Sequence, residues 1–270
     1  MERKQPLITL TTDFAVQSQG IGAMEVTIYS IAPDAKVIHL MHGLPEFDLV
    51  AAARTMETVL YYPVGFHVCV CDPGVGTSRK ALAIETRRGD YLIGPDNGLF
   101  GPAIRLLGGA TRVHQLLNPE LMRQPVSPIF HGRDIFAPAA AHLARGIRLE
   151  DFGPAVDPQS LVAAAYEEAK IEGRTISATI IQINRFGSLH LNVLAAQWNS
   201  LNITPGKKVK CQFPLGKNAE VMVGEKFGDV APGENLIMKD DYGRVEVAKN
   251  LGSFVSEFPL RIGDELRIVF

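Results

Sequence analysis

The stretch FHVCVCDPGVGTSRK, residues 66–80, decides the fold of this chain. It begins with an apolar run over residues 68–71, which predicts a buried strand. The run ends at Asp72, a Pro-Gly-Val-Gly turn follows, and Arg79 comes next. Ligands of open α/β sheets bind outside the carboxyl ends of the strands, so an acid, bared backbone amides and an arginine at that point indicate a site. A tight turn with an exposed ion pair is the structural alternative.

Composition restricts the classes of function. A chain of 270 residues is long enough for two domains and a sizeable core. A net charge of −2 lacks the basic excess typical of nucleic-acid binding, and no stretch approaches the roughly 20 apolar residues of a membrane helix. Three cysteines and a short apolar run near the start predict a cytoplasmic protein without a disulfide framework or a signal peptide.

Strand and helix patterns alternate in the first part of the chain. Strands are predicted over residues 7–10, 36–40, 68–71, 81–85, 91–94 and 112–116, and helices over 20–31, 48–60, after 97 and after 134. Asp48, Asn97 and Asp134 are expected to cap three of these helices. The alternation predicts an N-terminal α/β domain, residues 1–165, with a mostly parallel sheet covered by helices on both faces.

The pattern changes in the second part of the chain. Residues 162–174 are interpreted as a linker or a short helix. Seven short strands are then predicted over residues 175–183, 189–193, 207–212, 220–223, 235–238, 244–247 and 265–269. Short strands at this spacing predict a smaller C-terminal β-barrel domain over residues 175–270.

Four polar clusters in the first domain follow predicted strands or begin predicted helices. They are Asp13 in TTDF, Asp72 with Arg79, Asp96 with Asn97 in GPDNGLF, and His131 in FHGRD. A carboxylate at a strand end, such as Asp13, can accept hydrogen bonds from both hydroxyls of a ribose. The chain has no P-loop, dinucleotide-binding, nucleophile-elbow or zinc-protease motif. Two polar turns of the second domain, residues 185–192 and 240–250, are either surface hairpins or an edge for a flat ring.

Together these motifs resemble those of one family. TTDF, DPGVGTSR, GPDNGLF, FHGRDIFAPAAAHLA, RFGSL and DDYGRVEVAKNLG occur here in the order found in the S-adenosyl-L-methionine (SAM) hydroxide adenosyltransferases, relatives of the SAM-using fluorinases and chlorinases. The resemblance implies attack of water on C5′ of SAM, which gives adenosine and methionine without a cofactor or a metal. It also implies a homotrimer whose sites lie between the first domain of one subunit and the second domain of its neighbour.

The resemblance also implies roles for individual residues. Asp72, Arg79 and His131 match the catalytic set, whose presence favours water over a halide, and Asp13 matches the acid that binds ribose. Further substrate contacts fall on Phe47, Asn184, Phe186, Ser188, Asp241 and Tyr242. The chain departs from the family where Ala15 replaces a glycine, and where Asn184 and Ser188 replace an Asp and an Asn.

Three alternatives stay open at this point. The first is a non-catalytic protein that binds adenosine or SAM, which the changes at Asn184 and Ser188 make reasonable. The second is hydrolysis of a different adenosyl substrate. The third is a metal-dependent hydrolase that uses Asp13, Asp72 and His131.

Overall fold

The computed structural model describes residues 5–270, apart from the side chain of residue 215. The chain divides into two compact units, Met1–Ala165 and Tyr166–Phe270. In the described part of the chain, no helix has both the length and the apolar character that crossing a membrane requires.

The first unit contains a six-stranded sheet and four α-helices. The strands are β1 Leu7–Thr12, β2 Lys36–Met41, β3 Phe66–Val70, β4 Ala81–Thr86, β5 Tyr91–Pro95 and β6 Ala110–Gln115. The helices are α1 Gln19–Ile31, α2 Leu49–Glu57, α3 Gly101–Leu106 and α4 Ala137–Ala144. A π-helical turn, Gly132–Phe136, leads into α4, and 3₁₀ turns cover Thr58–Tyr61, Pro119–Leu121, Leu149–Phe152 and Pro158–Ser160.

The strand order is β2-β1-β3-β5-β4-β6. The β2-β1, β1-β3 and β3-β5 pairs are parallel, whereas β4 runs antiparallel to both of its neighbours. The turn between β4 and β5 is only four residues long, which permits a hairpin but not the crossover that a parallel pair needs. The predicted α/β domain is therefore confirmed, with a mixed sheet.

Both faces of the sheet are covered, because successive side chains of a strand point to opposite faces. Val68 and Val70 of β3 pack into one apolar cluster with α1 and α4. Cys69 and Cys71 lie on the other face, in a cluster with α2 and α3. Burial raises the pKa of both thiols, so these cysteines are uncharged packing groups.

One of the three predicted helix caps is confirmed and two are wrong. Asp48 caps α2, with its Oδ1 2.9 Å from the Ala51 amide nitrogen. Asn97 instead donates from Nδ2 to the carbonyl of Cys71, at 2.9 Å, and α3 begins four residues later. Asp134 lies inside the π-helical turn and is fully buried among cationic side chains. Both residues serve tertiary contacts that outweigh their local capping preference.

The second unit is a closed seven-stranded barrel, as the seven predicted strands indicated. Its elements are β7 Lys170–Glu172, β8 Thr175–Ile183, β9 Leu189–Leu194, β10 Lys208–Gln212, β11 Asn218–Val223, β12 Asn235–Lys239, β13 Arg244–Lys249 and β14 Glu265–Val269, with α5 Ala195–Ser200 and α6 Phe254–Glu257. Pairing of β14 with β8 closes the barrel, and β7 adds to β8 outside it. β7, α5 and α6 were not predicted, and β7 lies within residues 162–174, which were interpreted as a linker or a short helix.

Candidate active site

The candidate site lies where the sheet of the first unit changes its direction of winding. The chain passes from β1 to β2 on one side and then returns to β3 on the other side of β1. Ligands bind at such a switch point, outside the carboxyl ends of the strands. Asp13 follows β1 and Asp72 follows β3, and the Asp13 amide donates to the Val70 carbonyl at 3.3 Å. The topology thus brings two of the predicted carboxylates to one point.

The glycine turn after β3 folds Arg79 back onto Asp72. Arg79 Nε lies 3.0 Å from both carboxylate oxygens, and Nη2 lies 2.5 Å from Oδ2. Gly76 has φ of +76°, and a Cβ there would lie 2.4 Å from the Pro128 carbonyl oxygen, so the turn needs glycine at this position. The two side chains of the pair are only 10% and 5% exposed. The exposed ion pair considered as an alternative is therefore excluded.

His131 joins this pair through Arg79. Arg79 Nη2 lies 2.7 Å from His131 Nδ1, and because a guanidinium only donates, Nδ1 accepts and the imidazole proton is on Nε2. Burial and the charge of Arg79 lower the pKa of His131, while Asp72 and Asp134 oppose the change. His131 is consequently a neutral imidazole at neutral pH.

Asp134 holds the chain segment that leads to His131. It accepts hydrogen bonds from the Ser127 amide at 2.8 Å and from Arg133 Nε at 2.6 Å, and it forms an ion pair with Arg123 at 3.3 Å. Burial opposes its charge, yet hydrogen bonds from Arg133 and the Ser127 amide lower the pKa of Asp134. A charged Asp134 therefore fixes the position of the loop before the π-helical turn.

Asp13 fixes an unusual backbone conformation opposite Asp72. Its Oδ2 accepts a hydrogen bond from the Phe47 amide at 3.0 Å. Phe47 has φ of +61°, a left-handed conformation that is rare for a bulky residue, and its side chain is 63% exposed. Strained backbone of this kind is concentrated at functional sites.

A pocket of about 270 Å³ joins these residues, near the lower end of the size range for small-molecule sites. Four sequence-predicted residues line it: Asp13, Phe47, Asp72 and His131. The remaining lining residues are Phe14, Glu46, Val70, Val75, Ile129, Phe130 and Gly132. The pocket combines carboxylates and an imidazole with apolar walls, which suits a ligand with both polar and flat apolar parts.

The five candidates of the second unit lie on two turns of the barrel. Asn184, Phe186 and Ser188 belong to the turn between β8 and β9, and Asp241 and Tyr242 belong to the turn between β12 and β13. Phe186 is 71% exposed, and Asp241 and Tyr242 are also exposed. Strands β9 and β13 pair antiparallel, with Val247 opposite Leu189 and Arg244 opposite Leu194, so the two turns adjoin opposite ends of this strand pair.

The sequence did not identify three residues that support the site. Asn97 ties the end of β5 to the Cys71 carbonyl next to Asp72, and Asp134 holds the loop before His131. In the second unit, His190 lies within hydrogen-bonding distance of Asn184 and Asp240, one in each of the two turns. Asn97 and Asp134 lie in the motifs GPDNGLF and FHGRD, but the sequence pattern was interpreted as helix capping at both positions. Among residues 5–270, no three His, Cys, Asp or Glu side chains form a group that could hold a metal ion.

Comparison with known proteins decides the family. The family model for the SAM hydroxide adenosyltransferase N-terminal domain matches residues 8–153, and that for the C-terminal domain matches residues 178–267. This chain belongs to the SAM hydroxide adenosyltransferases. The family suggested by the sequence motifs is thereby confirmed.

Individual relatives of this adenosyltransferase agree over almost the full length. A Salinispora tropica protein named (R)-S-adenosyl-L-methionine hydrolase is 37% identical over 264 residues, which are 97% of each chain. A Nocardia brasiliensis protein named fluorinase is 20% identical and covers 98% of this chain and 97% of its own. A crystal structure of an uncharacterised conserved protein from Thermotoga maritima matches with a TM-score of 0.89 and 30% identity, over 97% of this chain and 100% of that one.

Two of the three departures named from the sequence, Ala15 and Asn184, have different physical consequences. Ala15 has φ of +65°, a conformation that glycine adopts without strain, and an alanine in this conformation costs about 1–2 kcal/mol. Asn184 accepts hydrogen bonds at Oδ1 from the amides of Phe186 and Ser188, at 3.0 and 3.1 Å. Its carbonyl oxygen is therefore used to shape the turn.

The lowered pKa of His131 predicts how the adenosyltransferase responds to acid. In a titration of the imidazole followed by NMR, His131 should become protonated only below pH 6.5, because burial and Arg79 disfavour the cation. Arg79→Gln removes the neighbouring charge, so the pKa of His131 should rise. If activity needs neutral His131, it should fall as the pH drops through the pKa of His131. An active variant with a higher His131 pKa should therefore lose activity at a higher pH than the wild type.

His142 is the matched control for this titration. Burial and Arg145 lower its pKa, and Arg79 is not among the causes. Arg79→Gln should leave the titration of His142 unchanged. A wild-type His131 that titrates above pH 6.5, or one that does not respond to the loss of Arg79, would contradict the electrostatic account.

Proposed function

We propose that this enzyme hydrolyses SAM to adenosine and L-methionine. One observation carries the proposal. Asp72, Arg79 and His131 form a largely buried hydrogen-bonded cluster at the pocket that also contains Asp13. The match to relatives named for SAM hydrolysis supports the substrate.

The reaction requires positioning more than activation. The bond between C5′ and sulfur breaks, the electron pair stays on sulfur, and methionine leaves as a neutral thioether. A bond forms between C5′ and the water oxygen, and one water proton is released. Because the sulfonium is already a good leaving group, we propose that neither a cofactor nor a metal takes part. Holding a water in line behind C5′ can lower the barrier by several kcal/mol.

We assign the proton-accepting role to Asp72. Neutral His131 has its proton on Nε2, and its other nitrogen is occupied by Arg79, so it offers a donor rather than a free acceptor. Each Asp72 oxygen has more than one acceptor position, so it can accept from the water as well as from Arg79. Asp72 therefore accepts the water proton, and Arg79 orients the Asp72 carboxylate. Arg79 and His131 offer N–H donors that stabilise the negative charge that grows on the water oxygen.

The remaining candidates bind the rest of the substrate in this proposal. Asp13 accepts from the ribose hydroxyls, and the exposed Phe47 ring lies against the adenosyl group. The barrel turns that carry Asn184, Phe186, Ser188, Asp241 and Tyr242 contact the adenine and methionine parts. A ligand-binding protein without turnover is the second candidate, because Asn184 presents no carboxylate to the substrate ammonium.

Incubation of the purified protein with SAM tests the function. We expect adenosine and methionine in equal amounts, full activity in EDTA, and ¹⁸O from labelled water at O5′ of adenosine, since water attacks C5′. The two sulfonium epimers should be assayed separately, because the name of the Salinispora relative specifies the (R) form. We expect that epimer to be preferred.

Three results would reject this assignment. Retention of SAM without products identifies a binding protein. Dependence of turnover on a divalent ion identifies a metal hydrolase. A 5′-halogenated adenosine formed in chloride or fluoride identifies a halide-using enzyme of the kind that the fluorinase name describes.

Substitution of the two carboxylates separates catalysis from binding. Asp72→Asn should lower kcat by about 10²- to 10⁴-fold, because it removes the acceptor for the water proton, and should leave adenosine affinity close to wild type. Asp13→Asn should instead weaken adenosine binding, because a charge-assisted hydrogen bond becomes a neutral one. Calorimetry with adenosine and steady-state kinetics with SAM measure the two effects.

Melting temperatures provide the control for these variants. If Asp72 only fixed the turn over residues 73–76, Asp72→Asn would lower thermal stability and adenosine affinity together. Wild-type turnover by Asp72→Asn would show that the carboxylate has no catalytic role.

We also propose that the enzyme is a homotrimer with shared sites, as its family resemblance implies. Light scattering should give three times the subunit mass. Asp72→Asn and Tyr242→Ala are each expected to impair activity, and mixing the two proteins under subunit exchange should restore part of it. Exchange without recovery would contradict shared sites, and an active monomer would contradict the trimer.

A further inference from the structure

Two side chains organise the two substrate-side turns of the barrel. In the turn between β8 and β9, Asn184 Oδ1 accepts from the amides of Phe186 and Ser188. In the turn between β12 and β13, Asp240 Oδ1 accepts from the amides of Tyr242 and Arg244, at 2.9 and 2.8 Å. Each turn therefore takes its shape from one polar side chain at its start.

His190 of β9 connects these two side chains. Its Nδ1 lies 2.9 Å from Asp240 Oδ2, and its Nε2 lies 3.2 Å from Asn184 Nδ2. A carboxylate only accepts, so Nδ1 carries the proton. The Asn184 amide is oriented by the two backbone donors at Oδ1, so its NH₂ group faces His190 and donates to Nε2. Both contacts thus require the same neutral tautomer of His190.

The surroundings of His190 favour a fixed arrangement. His190 is 9% exposed, and Glu246 lies opposite it on the paired strand β13. Glu246 Oε2 is 3.4 Å from Nε2, so the contact with Asn184 is the shorter of the two. Buried polar contacts of this kind rigidify the groups that they join.

We infer that His190 is a positioning residue that holds the two turns in one arrangement for the substrate. This inference rests on the proposed function, in which residues of both turns contact SAM. The hydrogen bonds of His190 go to Asn184 and Asp240, and not to the exposed side chains of the turns. His190 therefore acts through Asn184 and Asp240. Loss of His190 should therefore weaken substrate binding more than it slows the chemical step.

Three substitutions separate the two contacts. Asn places an amide near the position of Nδ1, so His190→Asn retains a donor for Asp240 and loses the contact with Asn184. Gln reaches the position of Nε2, so His190→Gln retains an acceptor for Asn184 and loses the contact with Asp240. His190→Leu loses both contacts at a similar volume.

Amide hydrogen exchange tests the arrangement without depending on activity. His190→Asn should speed exchange in the turn over residues 184–188, His190→Gln should speed it in the turn over residues 240–244, and His190→Leu should speed it in both, by about tenfold or more. Slow exchange in both turns of His190→Leu would overturn the inference, even if the protein did not hydrolyse SAM.

Kinetics then test the link to the substrate. With SAM, each single-contact variant should raise KM by about fivefold or more and leave kcat within about twofold, since His190→Asn loses a neutral hydrogen bond and His190→Gln loses one to a carboxylate. His190→Leu should raise KM further. An unchanged KM in all three variants, with wild-type turnover intact, would overturn the positioning role while leaving the proposed function in place.

His114→Leu is the control for general destabilisation. His114 is a buried histidine of the first unit, and its Nδ1 hydrogen-bonds the Gly153 carbonyl at 2.8 Å. This variant should lower the melting temperature without raising KM or speeding exchange in either barrel turn. Equal effects of His114→Leu and His190→Leu on KM would show that His190 acts only through overall stability.

Discussion

The bidentate ion pair between Arg79 and Asp72 is the interaction on which the rest of the site depends. It closes the glycine turn after β3, and the same guanidinium reaches His131 from a separate segment of the chain. The Arg79 guanidinium also lies 5.3 Å from the centre of the Phe136 ring. Loss of one partner from a buried pair costs about 3–5 kcal/mol, because the other charge is left without compensation. One cation thus orients both the carboxylate and the imidazole.

Polar side chains outside the pocket keep that arrangement in place. Asn97 binds the carbonyl of Cys71, the residue immediately before Asp72. Asp134 binds the backbone and the side chains of the loop before His131. Neither group lines the pocket, yet each fixes the chain next to a residue that does. Precision at the site therefore comes from satisfied hydrogen bonds at the ends of neighbouring elements.

Backbone conformation also shapes the pocket. Gly76 permits the turn to approach the Pro128 carbonyl, and the hydrogen bond from the Phe47 amide to Asp13 holds Phe47 in a left-handed conformation. The second contact connects the segments after β1 and β2, and the first connects the segment after β3 with the loop that contains Pro128. A change in any one of them alters the shape of the same pocket.

Local pattern and motif order were sufficient to determine the fold class, the family, and the residues that gather around the first-unit pocket. Period-two patterns predicted the strands of both units except β7, and helical patterns predicted the helices of the first unit, because side-chain burial follows the period of the backbone. Tertiary structure alone decided the roles of Asn97 and Asp134, because the local sequence does not distinguish a side chain that caps a helix from one that hydrogen-bonds a distant segment. It also decided the tautomer of His131, which depends on Arg79, 52 residues away. The contact of His190 with Asp240, across 50 residues, had no sequence signal, because it arises from strand pairing in the closed barrel.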